Sequence, residues 1–187
     1  MKKITVLLAM VFVAAGVFAQ TTYKVDKSHS KVGFAISHMM ISEVEGQFNG
    51  FDATIVSSKD DFSDATVEFT ADVNTIDTNS ERRDGHLKSP DFFDAAKYPA
   101  LSFKSTSFTK TGDKSYKVVG DLTMHGVTKP VTLEATLTGT ATGRGGKRVV
   151  GFKVTGTINR IDFGVGTSGP GTGDEVTLVA KTEFGAQ

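Results

Sequence analysis

Ala65-Thr66-Val67-Glu68-Phe69-Thr70-Ala71-Asp72-Val73-Asn74-Thr75, ATVEFTADVNT, alternates apolar and polar residues without a break from Ala65 to Asn74. A helix would need its apolar groups three and four residues apart. A period of two sends successive side chains to opposite faces, so this stretch predicts a strand with one buried and one wet face. The same beat runs outward in both directions. Upstream, Val32, Phe34, Ile36 and His38 share one parity. Downstream, Leu101 and Phe103 follow, then Tyr116, Val118 and Leu122, then Val131 to Leu137, Val150 to Ile158, and Val176 with Leu178.

Between Phe48 and Phe51 the parity slips. Val44, Gly46 and Phe48 are even, whereas Phe51, Ala53 and Ile55 are odd, with Gly50 at the join. A glycine at such a slip marks a bulge or sharp bend within one strand. Turn-forming clusters at Lys59-Asp60-Asp61, Thr111-Gly112-Asp113, His125-Gly126, Gly143 to Gly146 and Gly164 to Gly173 separate the runs. Eight strands result, most longer than the usual five or six residues. Long strands joined in order by short turns suit an up-and-down barrel better than a sandwich. The predicted fold class is all-β, an eight-stranded antiparallel barrel. At that size the interior is either filled by side chains or holds one small ligand, and periodicity leaves both open. Small residues on the apolar parity, Gly46, Ala65, Ala71, Gly120, Ala135, Gly156 and Ala180, tilt the expectation toward a hollow.

One segment abandons the alternation: Arg82 to Asp94, RRDGHLKSPDFFD. Just before it, Thr78-Asn79-Ser80-Glu81 has the capping-box pattern, a hydroxyl followed three residues later by a glutamate, which predicts a helix capped by Thr78. Gly85 would interrupt or close that helix, and Ser89-Pro90-Asp91 offers a second start. A short helical segment is therefore expected between the third and fourth strands, with Leu87, Phe92 and Phe93 to bury against a barrel mouth.

The chemistry in this segment is thin. Asp84 and His86, two apart on a helix, point about 200° from one another and do not form an acid/base pair. The four histidines, His29, His38, His86 and His125, lack the i, i+2 or i, i+4 spacing of a zinc site. Arg82 and Arg83 could hold an anion, or pair with Asp84 and Asp91. The chain has no cysteine, hence no thiol nucleophile, disulfide or acylated cysteine anchor. It has no Gly-x-Ser-x-Gly elbow, and its Gly164 to Gly171 loop lacks the lysine of a phosphate loop. Neither a metal nor a cofactor is expected.

The ends and the charge bound the rest. Lys2 and Lys3 precede an apolar run from Ile4 to about Val13, and in Val17-Phe18-Ala19 the compact Val17 and Ala19 stand at the positions a signal peptidase reads before Gln20. This is the pattern of a cleaved secretory signal over residues 1–19, followed by one domain over 20–187 in the periplasm or outside the cell. Losing those two lysines takes the 21 basic residues to 19 against 21 acidic, a net charge of −2. Such a balance gives no bulk attraction to nucleic acid. No later segment approaches the roughly 20 apolar residues of a spanning helix, so stable membrane insertion is not expected.

Several pieces, in order and at their spacing, resemble the YceI-like family of exported polyisoprenoid-binding proteins from about Tyr23 to Phe184. They are Val25-Asp26-Lys27-Ser28-His29-Ser30 with Val32 and Phe34; Gly46-Gln47-Phe48; Arg83 to Lys88 and Asp91 to Asp94; Gly120 to Thr128; and Asn159 to Gly164. Tyr23 stands where members often carry tryptophan. The resemblance implies a lipocalin-like barrel holding a long isoprenoid, quinone or polyprenyl in type, or a similar fatty amphiphile in an apolar pore. It implies a tail lined by Val32, Phe34, Ile36, Phe48, Phe69, Phe103 and Phe152, with Leu87, Phe92 and Phe93 facing the cavity. Arg83, Asp84 and His86 would form its polar collar, and His38 is counted among the ligand-binding residues. Two function classes remain open: a lipid carrier without chemistry, and a small barrel enzyme using His38, His86 or Asp84 on such a lipid. Self-association into a homodimer is also left open.

Overall fold

In the computed structural model, which describes residues 20–187, the alternating runs form one antiparallel sheet that closes on itself. The leader expected over residues 1–19 lies outside the described residues. The chain passes through β1 (Thr21–His38), β2 (Ser42–Phe48), β3 (Phe51–Ser57), β4 (Thr66–Asp72), β5 (Ile76–Asp77), α1 (Glu81–Lys88), β6 (Ala100–Lys110), β7 (Ser115–Met124), β8 (Val127–Thr142), β9 (Arg148–Asn159) and β10 (Thr172–Ala186). Strands neighbour one another in the order β10-β9-β8-β7-β6-β4-β3-β1, and β1 pairs again with β10. Val32 faces Ala180, Phe34 faces Leu178 and Ile36 faces Val176 across that closing ladder. Closure removes the exposed edge that an open sheet would carry.

β2 and β5 are continuations rather than extra staves, so the barrel has eight strands. β1 pairs with β3 over Thr21–Lys24 and with β2 over Val32–His38. β2 and β3 are therefore two halves of one strand, bent at Asn49–Gly50, where the sequence parity slips. The bend is held from the neighbouring stave, because Gly50 N–H donates to Thr75 Oγ1 at 2.8 Å. A Cβ on Gly50 would lie 2.8 Å from Thr75 Cγ2, so a larger residue there would displace the side chain that holds the bend. β4 and β5 are likewise one stave, broken by a 3-10 turn at Val73–Thr75 whose cap is Asp72. β5 is laddered to β2 by two pairs, Gln47 with Asp77 and Phe48 with Ile76.

Three of the inward glycines do not themselves open the hollow. A Cβ on Gly46 would fall 2.3 Å from Phe34 Cζ, one on Gly120 2.5 Å from Phe103 Cζ, and one on Gly156 2.4 Å from Leu133 Cδ2. Each glycine is a socket for a large neighbour, which keeps the wall smooth and close-packed.

One end of the barrel is sealed. The segment between β3 and β4 folds inward and carries Phe62, which is 0% exposed and has φ of 57°. Its ring meets Tyr23 and Phe152, each at 5.3 Å between centroids. Phe108 and Tyr116 extend the cluster, the latter donating its hydroxyl to Asp61 O at 2.7 Å. Burial pushes the Tyr116 hydroxyl above the ordinary tyrosine range. From outside, Arg148 lies 5.1 Å over the Phe62 ring and pairs with Asp60 at 3.0 Å. Asp64 accepts from Ser57 Oγ at 2.6 Å and from Ser58, and these hydroxyls hold its carboxyl well below the usual carboxylate range.

Candidate functional site

Above that floor the barrel is hollow. A cavity of about 490 Å³ opens between the staves, within the range of small-ligand pockets, about 300–1,000 Å³. Its walls are the inward parity of the strands: Val32, Phe34 and Ile36 on β1, Phe48 on β2, Phe69 on β4 and Phe103 on β6, with Phe152 of β9 toward the sealed end. Phe34 and Phe48 pack at 5.8 Å, and Phe48 meets Phe93 edge-on at 6.2 Å. Among the lining residues, three are exposed to solvent: His38, Arg83 and His86. They mark the opening of a pore whose other lining is mostly apolar.

The opening is bordered by α1 and the turns after it. The helix begins two residues later than the capping box predicts. Its N-cap is Ser80, whose hydroxyl accepts from Arg83 N–H at 3.5 Å, and Glu81 is the first helical residue rather than the reciprocal partner. Thr78 lost the cap because its own hydroxyl is committed elsewhere. It is 2% exposed, donates to Asp84 Oδ1 at 2.5 Å and accepts from Arg83 Nε at 2.8 Å. The Thr78 N–H also donates to Asp84 Oδ1 at 2.9 Å, and Arg83 Nη2 donates to Thr78 O at 2.6 Å. Asp84, assigned to the polar collar, therefore does not line the cavity; it is drawn down onto Thr78. Gly85 sits within an unbroken helix, and the second helix offered at Ser89 is a set of turns, with Phe92, Phe93 and Asp94 N–H donating back to Ser89, Leu87 and Ser89 carbonyls.

Thr78→Ala removes a buried hydroxyl from both partners at once. It is expected to lower the unfolding free energy by about 1–3 kcal/mol. Thr78→Ser should restore most of it. A cap lost at Thr78 would predict no dependence on Arg83, so a double-mutant cycle with Arg83→Met in chemical denaturation separates the two: coupling is expected, and additivity would refute the knot.

Arg83 and His86 line the cavity, as does His38. His86 lies 3.4 Å from Asp91 and edge-on to Phe92 at 4.9 Å. Ser80, Arg82, Arg83 and His86 share a surface depression beside the opening. Leu87, Phe92 and Phe93 line the cavity from the helix and the turns.

Among the described residues, the carboxylate–imidazole group close enough to share a cation is Asp26, His29 and Glu183, at the bulge in β1 and away from the cavity. Asp26 is held down to about 2 by the Ser28 hydroxyl and then His29, and the same carboxylate raises His29. The Ser28 hydroxyl at 3.2 Å and Asp26 at 2.7 Å both face His29 Nδ1. A nucleophilic relay needs them on opposite ring nitrogens. The cluster staples a bulge.

A family model described as the YceI-like domain matches residues 23–184. The chain belongs to the YceI-like family. Protein YceI of Escherichia coli O157:H7 is 39% identical over 177 residues, spanning 94% of this chain and 92% of the relative. Among solved structures, BcnA of Burkholderia cenocepacia superposes with a TM-score of 0.77 at 26% identity, covering 85% of this chain and 98% of that one. A polyisoprenoid binding domain from Saccharophagus degradans, 16% identical, shares the fold with a TM-score of 0.64 over 88% of this chain and 98% of its own.

This YceI-like barrel also contains a residue whose role sequence reading missed. Arg160, 4% exposed, lies at the cavity beneath the loop that joins β9 to β10. Its guanidinium donates to the carbonyls of Gly173, Val165 and Thr167, each at 2.8 Å, and reaches Asp174 at 3.4 Å. The stretch Asn159 to Gly164 carries the family resemblance, but an arginine in a polar run gives no sign that it will turn inward to collect backbone carbonyls.

Proposed function

We propose that this protein is an exported carrier that holds a polyisoprenoid, or a comparable long amphiphile, with its tail in the barrel and its head group at His38, Arg83 and His86, and performs no covalent chemistry on it. The observation that carries the reading is the polarity of the pore: an apolar tube sealed by Phe62 at one end, with three exposed polar side chains at the other. Such a tube suits a molecule with a long greasy end and one polar end. Each buried CH₂-sized group contributes about 0.8 kcal/mol, so a tail of a few isoprene units would supply most of the affinity after the costs of association. The polar groups then set which end enters first. The family membership and the ligand named for the Saccharophagus degradans domain support the same class.

The test is mass spectrometry of an organic extract from protein purified without detergent, followed by reloading of delipidated protein with a polyprenol and a quinone of matched tail length. A long-chain lipid near one per protein, or saturable reloading, is expected. An empty extract together with no reloading would refute the carrier.

A further inference from the structure

The large hydrophobic residues exposed among the described ones are consecutive: Met39, Met40 and Ile41, at 55%, 88% and 82%. They form the tip of the β1–β2 hairpin, beyond its last pair, His38 with Ser42. Scattered apolar side chains on a surface need no explanation, whereas three together on a projecting turn do.

Their backbone adds a second, independent observation. Met39 and Met40 have φ of 53° and 60°. Left-handed conformations are ordinary for glycine and asparagine and strained for long side chains. An Asn-Gly pair would make a tight turn here with less strain. Strain of this kind persists where surrounding structure enforces it, and it clusters at functional positions. The tip is enforced: Met39 N–H donates to Gly171 O at 3.1 Å, tying it to the β9–β10 loop, and Ile41 N–H donates to His38 O at 3.1 Å.

The third observation is continuity. His38, one of the three exposed residues at the cavity opening, directly precedes Met39, and the inward face of β1 runs from Phe34 through Ile36 to His38 without interruption. The apolar tip and the apolar pore are thus two ends of one strand, separated by a single polar residue.

We infer that the Met39–Ile41 tip enters the surface of a lipid bilayer and sets the cavity opening against it, so that a lipid exchanges between membrane and barrel without crossing water. The inference rests on the carrier reading. A bilayer is the fitting occupant because the tip is small, convex and apolar, with no complementary concavity required, and because methionine's flexible thioether adapts to a fluid surface. The tip itself carries no charge, with exposed Glu43 just beyond it and exposed Arg83 at the opening, so docking is driven by apolar insertion and tolerates salt.

The experiment is flotation of the mature protein with phosphatidylcholine–phosphatidylethanolamine vesicles, at low and high salt, for the parent, Met40→Asp/Ile41→Asp, and Met39→Asn/Met40→Gly. Parent protein should float with vesicles at both salt concentrations. The aspartate pair should bind at least tenfold less, with unchanged melting temperature and unchanged lipid content on extraction. The Asn-Gly variant should also bind less, yet melt higher, because its turn is relaxed. Equal binding by all three, or none by the parent, overturns the inference, as does a dimer in sedimentation that the aspartate pair dissolves. Vesicle binding with no extractable or reloadable lipid supports docking while refuting the carrier; retained lipid with no vesicle binding does the reverse.

Discussion

Phe62→Ala is expected to lower the unfolding free energy of the lipid-free barrel by about 3–5 kcal/mol, the usual cost of deleting a fully buried aromatic. The ring is 0% exposed and wedged between Tyr23 and Phe152. Its loss leaves a hole at the sealed end that the staves, laddered on both sides, cannot close. Phe69→Ala makes the informative contrast. That residue is only partly buried in the lipid-free barrel because its ring borders the cavity rather than a packed neighbour on every side. Its removal should cost clearly less than Phe62→Ala in chemical denaturation, while weakening retention of a loaded polyprenol. Equal destabilisation by both, with lipid retention untouched, would mean that the barrel behaves as a filled core.

The second large effect is expected at Arg160. Arg160→Met keeps the length and apolar stem but withdraws the donors from Val165, Thr167 and Gly173 carbonyls and leaves Asp174 without its cation. Breaking a buried charged cluster by removing one member costs about 3–5 kcal/mol. Arg160→Lys should recover only part, since an ammonium cannot span three carbonyls as the planar fork does. Because Met39 is tied to Gly171, the loop and the hairpin tip should loosen together. Hydrogen exchange is the check: amides at 165–173 and at Met39 and Ile41 should gain exchange in Arg160→Met, whereas those of β7 and β8 should not beyond the global change. Protection retained at the loop would show that the arginine is not what holds it.

The staves and the cavity walls were legible because alternation is a local property: Phe34, Phe69 and Phe103 declare their face within a few residues of chain. Even the bend at Gly50 showed as a change of parity. What escaped notice depends on partners far away in sequence. Phe62 directly follows the Lys59-Asp60-Asp61 turn cluster, and nothing nearby announces that Tyr116 and Arg148 will fasten that loop as a floor; Arg148 and Asp60 are 88 residues apart. The cap at Thr78 was misplaced for a related reason. The box pattern counts residues three apart, but Thr78 was already engaged by Asp84, six residues on. Glycines on the inner face pointed to a hollow that does exist, but for the wrong reason, since composition shows a missing side chain and not the neighbour that occupies its space. The tip at Met39 follows the alternating run that ends at His38, and only the hairpin geometry shows that it projects.

The broken stave β4–β5 bears on how a bulky molecule gets in. Along most of its circumference the wall is knitted by long ladders, eleven paired positions between β9 and β10 for example. Near the opening, β5 is joined to β2 by two pairs, while the last pair tying β4 to β6 is Asp72 with Ala100. Beyond that point α1 and its following turns stand where a continuous strand would otherwise be. The cask therefore has a side panel. Parting two rungs and tilting one two-turn helix breaks far fewer contacts than global unfolding, so this sector can breathe while the rest stays cooperative. On the carrier reading, a long ligand would meet a lower barrier at this thinly laddered flank than end-on through the rest of the ring.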